Sequence, residues 1–288
     1  MNTLSIIIPV YHLLDNKNKI YFDILIQSIA QNLQSTYTYK RFSEVVIIND
    51  CPEEDIEKFI YSVFTKYNIP RSIIRNNQTN KGQGCSRNIG ASLASGNYLH
   101  FIDQDDYISQ DFYSILLRAI EKENAQIAFS GFNLYNMNTG KYFNPFRPQT
   151  TRMYTKAKSL TDLKIFLMSN IAVSPGQYIL SKSLFENVGG FADLQNKGTD
   201  DWGIFYSLNI QHPDTIITFR SEAVFTYRIH NTQNRKSLDM KASLSEMFSK
   251  VNHKKTKWYK LLYFFKINPV GLLLNKIIYR IYWRVPNF

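Results

Sequence analysis

The sequence predicts an α/β fold, in which a parallel sheet carries helices on both faces, and two observations lead to this prediction. Over the first hundred residues, apolar runs of strand length alternate with longer stretches of helical spacing, which is the rhythm of βαβ units. The apolar runs are continuous, as in parallel strands that are buried on both faces. The 288 residues are 44% hydrophobic and 20% charged, so a large core is available and wholesale disorder is excluded.

The elements follow in order along the chain. Apolar runs predict strands over residues 4–10, 44–49, 72–75 and 97–102. Apolar residues at helical spacing predict the helices between them, over 20–33, 53–67 and 85–94. Beyond residue 106 the pattern loosens, and it predicts helices over 111–122, 160–168, 181–188 and 200–209 and strands over 126–133, 215–220 and 223–229. The segment 137–151 is rich in Asn, Pro and Thr, which predicts a hairpin or a mobile loop.

Polar residues collect at the carboxyl ends of three predicted strands, which is where a sheet of this kind binds its ligand. Tyr11 follows the first of these strands, Asp50 follows the second, and Asp103, Asp105 and Asp106 follow the fourth. Carboxylates two positions apart at a strand end can converge on one hard divalent cation, and such a cation can neutralise a departing diphosphate. The structural alternative is that Asp106 or Asp111 caps the next helix.

Five segments resemble the family-2 glycosyltransferases of the GT-A fold in order and spacing. They are residues 5–11 (SIIIPVY), 45–50 (VVIIND), 80–82 (NKG), 86–90 (SRNIG) and 94–106 (ASGNYLHFIDQDD). A weaker likeness continues at 189–191 (GGF), 198–202 (GTDDW) and 227–230 (YRIH). Each piece alone is weakly specific, whereas the combination is specific. The resemblance implies a Rossmann-like nucleotide-binding sheet with helices on both faces.

The resemblance also implies a site for the base of a nucleotide-sugar donor. Tyr11, after Pro9 and Val10, would lie against a uracil ring, and Asp50 would accept a hydrogen bond from its imide N–H. Arg87 would steady Asp50 or a phosphate. The alternatives are a turn residue at Asp50 and an ordinary surface arginine at Arg87.

For the phosphates, the resemblance implies a site with a divalent cation, Mn²⁺ or Mg²⁺. Asp103, Gln104 and Asp105 would bind the donor, and the metal ligands would be Asp103, Asp105, Asp106 and His230. For His230, a purely structural histidine is the alternative.

The catalytic base implied by the resemblance is Asp201, next to Asp200 at the start of a predicted helix. An acceptor hydroxyl needs such a base, because it is a poor nucleophile until its proton is drawn off. Either aspartate could instead serve only as an acid at the helix start. Residues 174–177 would line the sugar pocket or form an ordinary turn, and Trp202 would stack on an acceptor sugar or belong to the core.

The activity implied is inverting, metal-dependent transfer of one sugar from a nucleotide-sugar, with UDP as the expected carrier. The acceptor would be a hydroxyl of a glycan or lipid-linked glycan in surface polysaccharide or lipo-oligosaccharide synthesis. The Gln-x-x-Arg-Trp signature of processive synthases is absent, and residues 233–236 do not supply it. Two alternatives stay open: a non-catalytic protein that binds nucleotide-sugars or glycans, and an adaptor that binds membranes or nucleic acid through its basic tail.

The sequence divides into a catalytic domain over 1–235 and a basic amphipathic helical region over 236–288. The first would comprise a nucleotide-binding half, 1–106, and an acceptor-binding half, 107–235. Residues 251–288 hold eight Lys or Arg and no acid, so most of the net charge of +11 lies there. Cations mixed with aromatic and apolar residues predict binding to an anionic membrane surface, on the inner face of the cell membrane. The alternatives are packing on the catalytic domain or on a partner chain, as in a homo-oligomer; nucleic-acid binding is disfavoured because the body is nearly neutral.

The two cysteines, Cys51 and Cys85, are too few for a disulfide framework, and their sequence neighbours lack metal-site spacing. With no signal-peptide pattern at the start of the sequence, we expect a reducing, cytoplasmic location.

Overall fold

A mixed sheet of nine strands organises the structure. The computed structural model describes residues 1–168, 171–172, 174–194, 200–229, 246, 264–265 and 269–282. The strands are β1 (Leu4–Val10), β2 (Phe42–Asn49), β3 (Ser72–Asn76), β4 (Tyr98–Phe101), β5 (Tyr107–Ile108), β6 (Ile127–Asn136), β7 (Lys141–Phe143), β8 (Tyr178–Ser181) and β9 (Ile217–Ile229). The helices are α1 (Asn16–Leu33), α2 (Thr36–Arg41), α3 (Glu57–Tyr67), α4 (Gln83–Leu93), α5 (Phe112–Glu123), α6 (Pro148–Lys156), α7 (Lys182–Asn187), α8 (Asp200–Gln211) and α9 (Pro269–Tyr282), with 3-10 helices over Leu160–Met168 and Pro175–Gln177.

The first half of the sheet is parallel, as predicted. β3, β2, β1 and β4 lie side by side in that order and run in one direction. Every residue of β1 and β2 is buried, which is why their sequences are continuous apolar runs. The carboxyl ends of these strands therefore open at one edge of the sheet, and the polar residues that follow them meet there.

The second half is mixed, and two of its strands, β5 and β8, were not predicted. β8 runs antiparallel between β4 and β6, while β6 runs parallel to β9. The predicted helix over 181–188 is shorter than expected, because Tyr178–Ser181 forms β8 and α7 begins only at Lys182. A run of four residues between two turns gives too short a periodic pattern to distinguish a strand from a helix.

The two strands predicted over 215–220 and 223–229 are one strand, β9. Its register against β6 shifts between Ser130 and Gly131, where β9 carries extra residues. A Cβ at Gly131 would lie 2.7 Å from the backbone oxygen of Ser221, so the close approach at this irregularity requires glycine. The exposed residues Ser221 and Glu222, which the sequence analysis treated as a break, lie on this bulge.

The segment 137–151 is partly a hairpin. β7 pairs antiparallel with β6 across the turn at Thr139 and Gly140. The end of the segment is helical instead, because Pro148 opens α6 at a position where its missing N–H costs nothing. The helix predicted over 160–168 is a 3-10 helix.

Within the predicted tail, α9 is the one helix longer than a turn in the described residues, and the remainder of 236–288 lies outside them apart from 246 and 264–265. The end of α9 contacts α6 and the residue before it: Arg147 N–H donates to the Tyr282 carbonyl oxygen at 3.3 Å, and the Gln149 side chain donates to the Ile281 carbonyl oxygen at 2.6 Å. No helix in the described part of the chain has the length and apolarity to cross a bilayer.

Candidate active site

The ends of β1 and β4 are joined by the side chain of Gln104. Its amide nitrogen donates to the Tyr11 carbonyl oxygen and its amide oxygen accepts from the Tyr11 N–H, both at 2.9 Å. This pairing holds the backbone of Tyr11 at the sheet edge while the Tyr11 ring remains 44% exposed. The structure therefore brings Tyr11 and Gln104 together, and a contact of Gln104 with the nucleotide-sugar stays a prediction.

Asp50 lies beside them at the end of β2 and is buried. One carboxylate oxygen accepts from the Asn77 side chain and from Lys81 N–H, and the other accepts from Gly82 N–H, all at 2.8 Å. Gly82 has φ +86°, a conformation that favours glycine. Asp50 is thus more than a turn residue, because it holds the loop that leads into α4. A carboxylate has about four acceptor sites, so three bonds leave room for one more donor.

Arg87, on α4, is a buried cation between two carboxylates. Its guanidinium donates to Oδ1 of Asp103 and to Oδ2 of Asp200, both at 2.7 Å, and it lies 5.3 Å from the centre of the Phe191 ring. Burial opposes the charge of Arg87, but Asp103 and Asp200 raise its pKa above the ordinary value. The expected pairing with Asp50 is not found, and the surface-arginine alternative is wrong, because Arg87 is only 2% exposed.

Asp103 and Asp105 present oxygen ligands at the end of β4, and both are partly buried. Oδ1 of Asp103 accepts from Gln83 at 2.8 Å and from Arg87 at 2.7 Å, which leaves Oδ2 for another contact. Burial raises the pKa of Asp103, and Arg87 opposes that rise. Two carboxylates at a strand end are a donor set that suits Mg²⁺ or Mn²⁺.

Asp106 differs from its two neighbours because it is fully buried. Its Oδ1 accepts the Arg228 N–H at 3.0 Å, and within the described residues its buried Oδ2 has no hydrogen-bond partner. Burial, with the charges of Asp105 and Asp103, raises the pKa of Asp106 well above its ordinary value. Full burial and the bond to the Arg228 N–H argue against the prediction that Asp106 is a metal ligand, and they indicate that it joins the end of β4 to β9 instead. It caps no helix, and Asp111, which precedes α5, makes no side-chain capping bond either.

Asp200 and Asp201 open α8, as predicted. Asp200, which was predicted beside Asp201 as a catalytic residue, is buried and bonded to Arg87; this contact indicates a fixed partner of Arg87, and a catalytic part for Asp200 stays a prediction. Asp201 is partly exposed, and its Oδ1 accepts the Trp202 N–H at 2.9 Å. Trp202 packs against the core with part of its surface exposed. His230, the remaining predicted ligand, lies outside the described residues.

Residues 174–177 form a buried turn and not a pocket wall. Within it, Ser174 Oγ accepts the Gly176 N–H at 3.3 Å, and the Gly176 carbonyl accepts from Nε2 of His100 at 3.0 Å. Burial lowers the pKa of His100 to about 4, so this histidine is neutral at pH 7 and accepts the Tyr113 hydroxyl proton at Nδ1. The ordinary-turn alternative is therefore the correct one.

Two members of the site were missed in the sequence. Gln83 and Asn77 hold Asp103 and Asp50, yet neither belongs to a charged pattern. Their position beside the 80–82 segment was the one available signal. Their side-chain amides show that the loop before α4 and the first residue of α4 carry part of the site.

Comparison with known proteins identifies the family. The family model "Glycosyl transferase family 2" matches residues 5–187. An uncharacterized glycosyltransferase of Haemophilus influenzae is 26% identical over 82% of this chain and 74% of its own length. The minor teichoic acid biosynthesis protein GgaB of Bacillus subtilis is 25% identical over 43% of this chain, but only 12% of its own length.

Solved structures agree on the fold. The S. aureus TarS fragment 1–349 in complex with UDP-GlcNAc superposes with a TM-score of 0.64 at 17% identity, over 91% of this chain and 72% of that one. GalNAc-T7 with UDP, GalNAc and Mn²⁺ gives 0.63 at 14% identity, over 97% and 55%. At this identity the likeness establishes the GT-A fold alone. Taken with the family match over most of the chain, the comparisons show that this chain is a glycosyltransferase that belongs to glycosyl transferase family 2.

Proposed function

We propose that this enzyme transfers a single sugar from a UDP-sugar to a hydroxyl of a cell-surface glycan, with inversion at the sugar carbon. The observation that carries the proposal is the pair of ion pairs made by Arg87, which we call the Arg87 bridge. It joins Asp103, at the strand end where we expect the nucleotide-sugar to bind, to Asp200 in the first turn of α8. UDP-GlcNAc in the TarS complex and the teichoic acid role printed for GgaB support the choice of donor and acceptor class.

Uracil recognition rests on Tyr11 and Asp50. The exposed Tyr11 ring offers a flat apolar face for a base, and Asp50 keeps acceptor capacity for the imide N–H. Because Asp50 is already bonded to Asn77 and to the loop at Lys81 and Gly82, its position is set before the donor binds. A fixed acceptor binds with less loss of conformational entropy.

Asp103 and Asp105 are the residues that would hold a divalent cation, Mn²⁺ or Mg²⁺. The cation would supply charge stabilisation for the diphosphate that leaves the sugar. Arg87 holds Oδ1 of Asp103 and thereby directs Oδ2 away from itself. This role for the two aspartates is supported by the Mn²⁺ and UDP found with GalNAc-T7, a neighbour in fold.

Asp201 is our candidate for the base that draws the proton from the acceptor hydroxyl. It lies in the first turn of α8 beside Asp200, whose attachment to Arg87 fixes that turn relative to Asp103. Direct displacement with one base inverts the configuration at the sugar carbon. Asp200 then acts by positioning and not by proton transfer.

In our proposal the enzyme binds a membrane surface, where it meets its acceptor. Val270, Leu273, Ile277 and Ile281 recur along one stripe of α9 and are 48–61% exposed, and Lys276 and Arg280 are exposed on the same helix. An amphipathic helix of this composition binds anionic lipid in the interface plane, and each basic residue near the surface contributes about 1 kcal/mol to the binding free energy. The acceptor would then be a lipid-linked glycan at the cytoplasmic face of the cell membrane.

The test is calorimetry of UDP and a panel of UDP-sugars, with Mn²⁺, with Mg²⁺ and with a chelator. We expect metal-dependent binding in the wild type and its loss, by at least about tenfold in affinity, in Asp105→Asn. Asp214→Asn is the matched control: Asp214 is exposed and precedes β9 at the opposite edge of the sheet from the end of β4. Equal binding by the Asp105 variant would refute the cation site, and no uridine nucleotide binding at all would refute the donor.

A further inference from the structure

A second cluster of metal-ligating side chains lies on the loops that follow β1 and β2. In the described part of the chain, His12, Cys51 and Glu54 form the one group of three such residues whose ligand atoms lie within 4.8 Å of one another. Nδ1 of His12 is 3.5 Å from Sγ of Cys51 and 3.6 Å from Oε1 of Glu54. None of these three side chains belongs to the donor and catalytic residues proposed above.

These separations match those between the ligands of a tetrahedral zinc ion. With Zn–S of about 2.3 Å and Zn–N and Zn–O of about 2.0–2.2 Å, a tetrahedral angle places neighbouring ligand atoms about 3.4–3.6 Å apart. The observed sulfur–nitrogen and nitrogen–oxygen distances of 3.5 and 3.6 Å fall at these values. His12 is therefore spaced from both Cys51 and Glu54 for a shared metal ion, and the ligand atoms of Cys51 and Glu54 lie within 4.8 Å of each other.

The ligands are held in place by groups around them. Leu14 N–H donates to Oε2 of Glu54 at 3.1 Å, which leaves Oε1 turned toward His12. Oδ1 of Asn49 accepts the Cys51 N–H at 3.0 Å. His12 has φ +48°, a left-handed conformation that is uncommon for a residue with a Cβ. Second contacts of this kind orient metal ligands in known sites.

Access and the chemical class of the ion follow from exposure and ligand type. The His12 side chain is 52% exposed whereas Cys51 is 1% exposed. The His12 side of the cluster is therefore open to solvent, and the Cys51 side is buried. A thiolate with an imidazole selects a soft or borderline ion such as Zn²⁺ over Mg²⁺ or Mn²⁺. The fourth position would be filled by water or by Glu53, whose Oε2 lies 3.4 Å from the Cys51 sulfur.

We propose that His12, Cys51 and Glu54 bind a zinc ion that cross-links the loop after β1 to the loop after β2. Cys51 binds as the thiolate and releases its proton to solvent. The site is distinct in ligand chemistry from the all-oxygen pair Asp103 and Asp105. The competing explanation is an ion pair between a protonated His12 and Glu54, with the Cys51 thiol donating to Glu53.

The test uses Co²⁺ as a spectroscopic substitute for Zn²⁺ on the full chain, without nucleotide or sugar. We expect a Co²⁺–thiolate absorption band in the near ultraviolet, one ion per chain, abolished by added Zn²⁺. The band should persist in Cys85→Ser, the matched control at the other cysteine, and disappear in Cys51→Ser. His12→Ala should weaken Zn²⁺ binding by about tenfold or more, and because His12 is on an exposed loop this variant serves if Cys51→Ser fails to fold.

Thermal unfolding gives a second measurement that does not depend on transferase activity. Zn²⁺ should raise the unfolding midpoint of the wild type and of Cys85→Ser, because a ligand of the folded state stabilises it. The midpoint of His12→Ala should rise less than that of the wild type at the same Zn²⁺ concentration, because this variant binds Zn²⁺ more weakly. Absence of the thiolate band in the wild type, or a band retained by Cys51→Ser, would refute the site and leave the ion pair as the explanation. Either result leaves the calorimetric test of the donor site unaffected.

Discussion

Replacing Arg87 with methionine should destabilise the protein more than any other single change at the site. Arg87 is 2% exposed and holds the carboxylates of Asp103 and Asp200 at 2.7 Å each. Removing the cation from a buried ion pair costs about 3–5 kcal/mol, since it leaves charge uncompensated in the interior. The Asp103 and Asp200 side chains keep 17% and 11% of their exposure and recover some hydration. We therefore expect the lower end, about 3 kcal/mol.

The destabilisation should depend on pH, with a definite sign. Burial raises the pKa of Asp103 and Arg87 opposes the rise, so loss of Arg87 raises this pKa further. A carboxyl group whose pKa is higher in the folded than in the unfolded state favours folding at low pH, and this contribution is lost as pH rises through the folded value. The deficit of Arg87→Met relative to the wild type should be largest near neutral pH and smaller at about pH 5.

The assay is urea unfolding of the wild type and Arg87→Met at both pH values, with Arg75→Met as the matched control. Arg75 is exposed on β3, and its replacement should change the free energy of unfolding by less than about 0.5 kcal/mol. Arg87→Lys should recover only part of the loss, because one ammonium lacks the planar fork that reaches both carboxylates. A variant Arg87→Met that is as stable as the wild type near neutral pH would show that the two ion pairs contribute nothing, and the argument for the bridge would fail.

Three further outcomes follow from the same structure. Asp201→Asn should bind UDP as the wild type does, because only the proton-accepting group is removed. Its rate of sugar transfer, measured with a radiolabelled donor, should fall by about 10²–10⁴-fold. Asp106→Asn should keep metal-dependent UDP binding. Its free energy of unfolding should change by less than about 1 kcal/mol, since an amide oxygen still accepts the Arg228 N–H. Asp106→Ala, which loses this acceptor, should lower the free energy of unfolding by about 1–3 kcal/mol. Leu273→Glu with Ile277→Glu should release the protein from anionic vesicles in a sedimentation assay, because both side chains lie on the exposed stripe of α9.

Each of these has its own control. Asp214→Asn should transfer sugar at the wild-type rate, and normal transfer by Asp201→Asn would exclude Asp201 as the base. If Asp106→Asn lost metal-dependent binding while Asp105→Asn kept it, the ligand assignment would be reversed. Tyr61→Glu places one such negative charge on a different exposed side chain, 54% exposed on α3, and it should leave vesicle binding unchanged. Continued binding of the double α9 variant would argue against a membrane role for that helix.

Several features were readable in the sequence because each leaves a local pattern. A parallel strand buried on both faces must be a continuous apolar run, and β1 and β2 are such runs. The order of the strands then placed Asp50 and Asp103 at one edge of the sheet, since parallel strands share an end. The GT-A fold and the family were implied by the resemblance of these segments to family-2 glycosyltransferases, and both are confirmed.

The tertiary structure alone decided which side chains meet. Arg87 lies 113 positions from Asp200, and no periodicity connects residues at that separation. The burial of Asp106 depends on β9, which adds its Arg228 N–H from 122 positions away, so adjacent carboxylates with similar sequence surroundings differ in burial and in hydrogen-bond partners. Cys51 has no metal-site spacing in its own segment, and His12 reaches it only because β1 and β2 are neighbours in the sheet. Local patterns report burial and secondary structure, whereas charge pairing and ligand geometry arise from contacts between strands that the chain brings together only on folding.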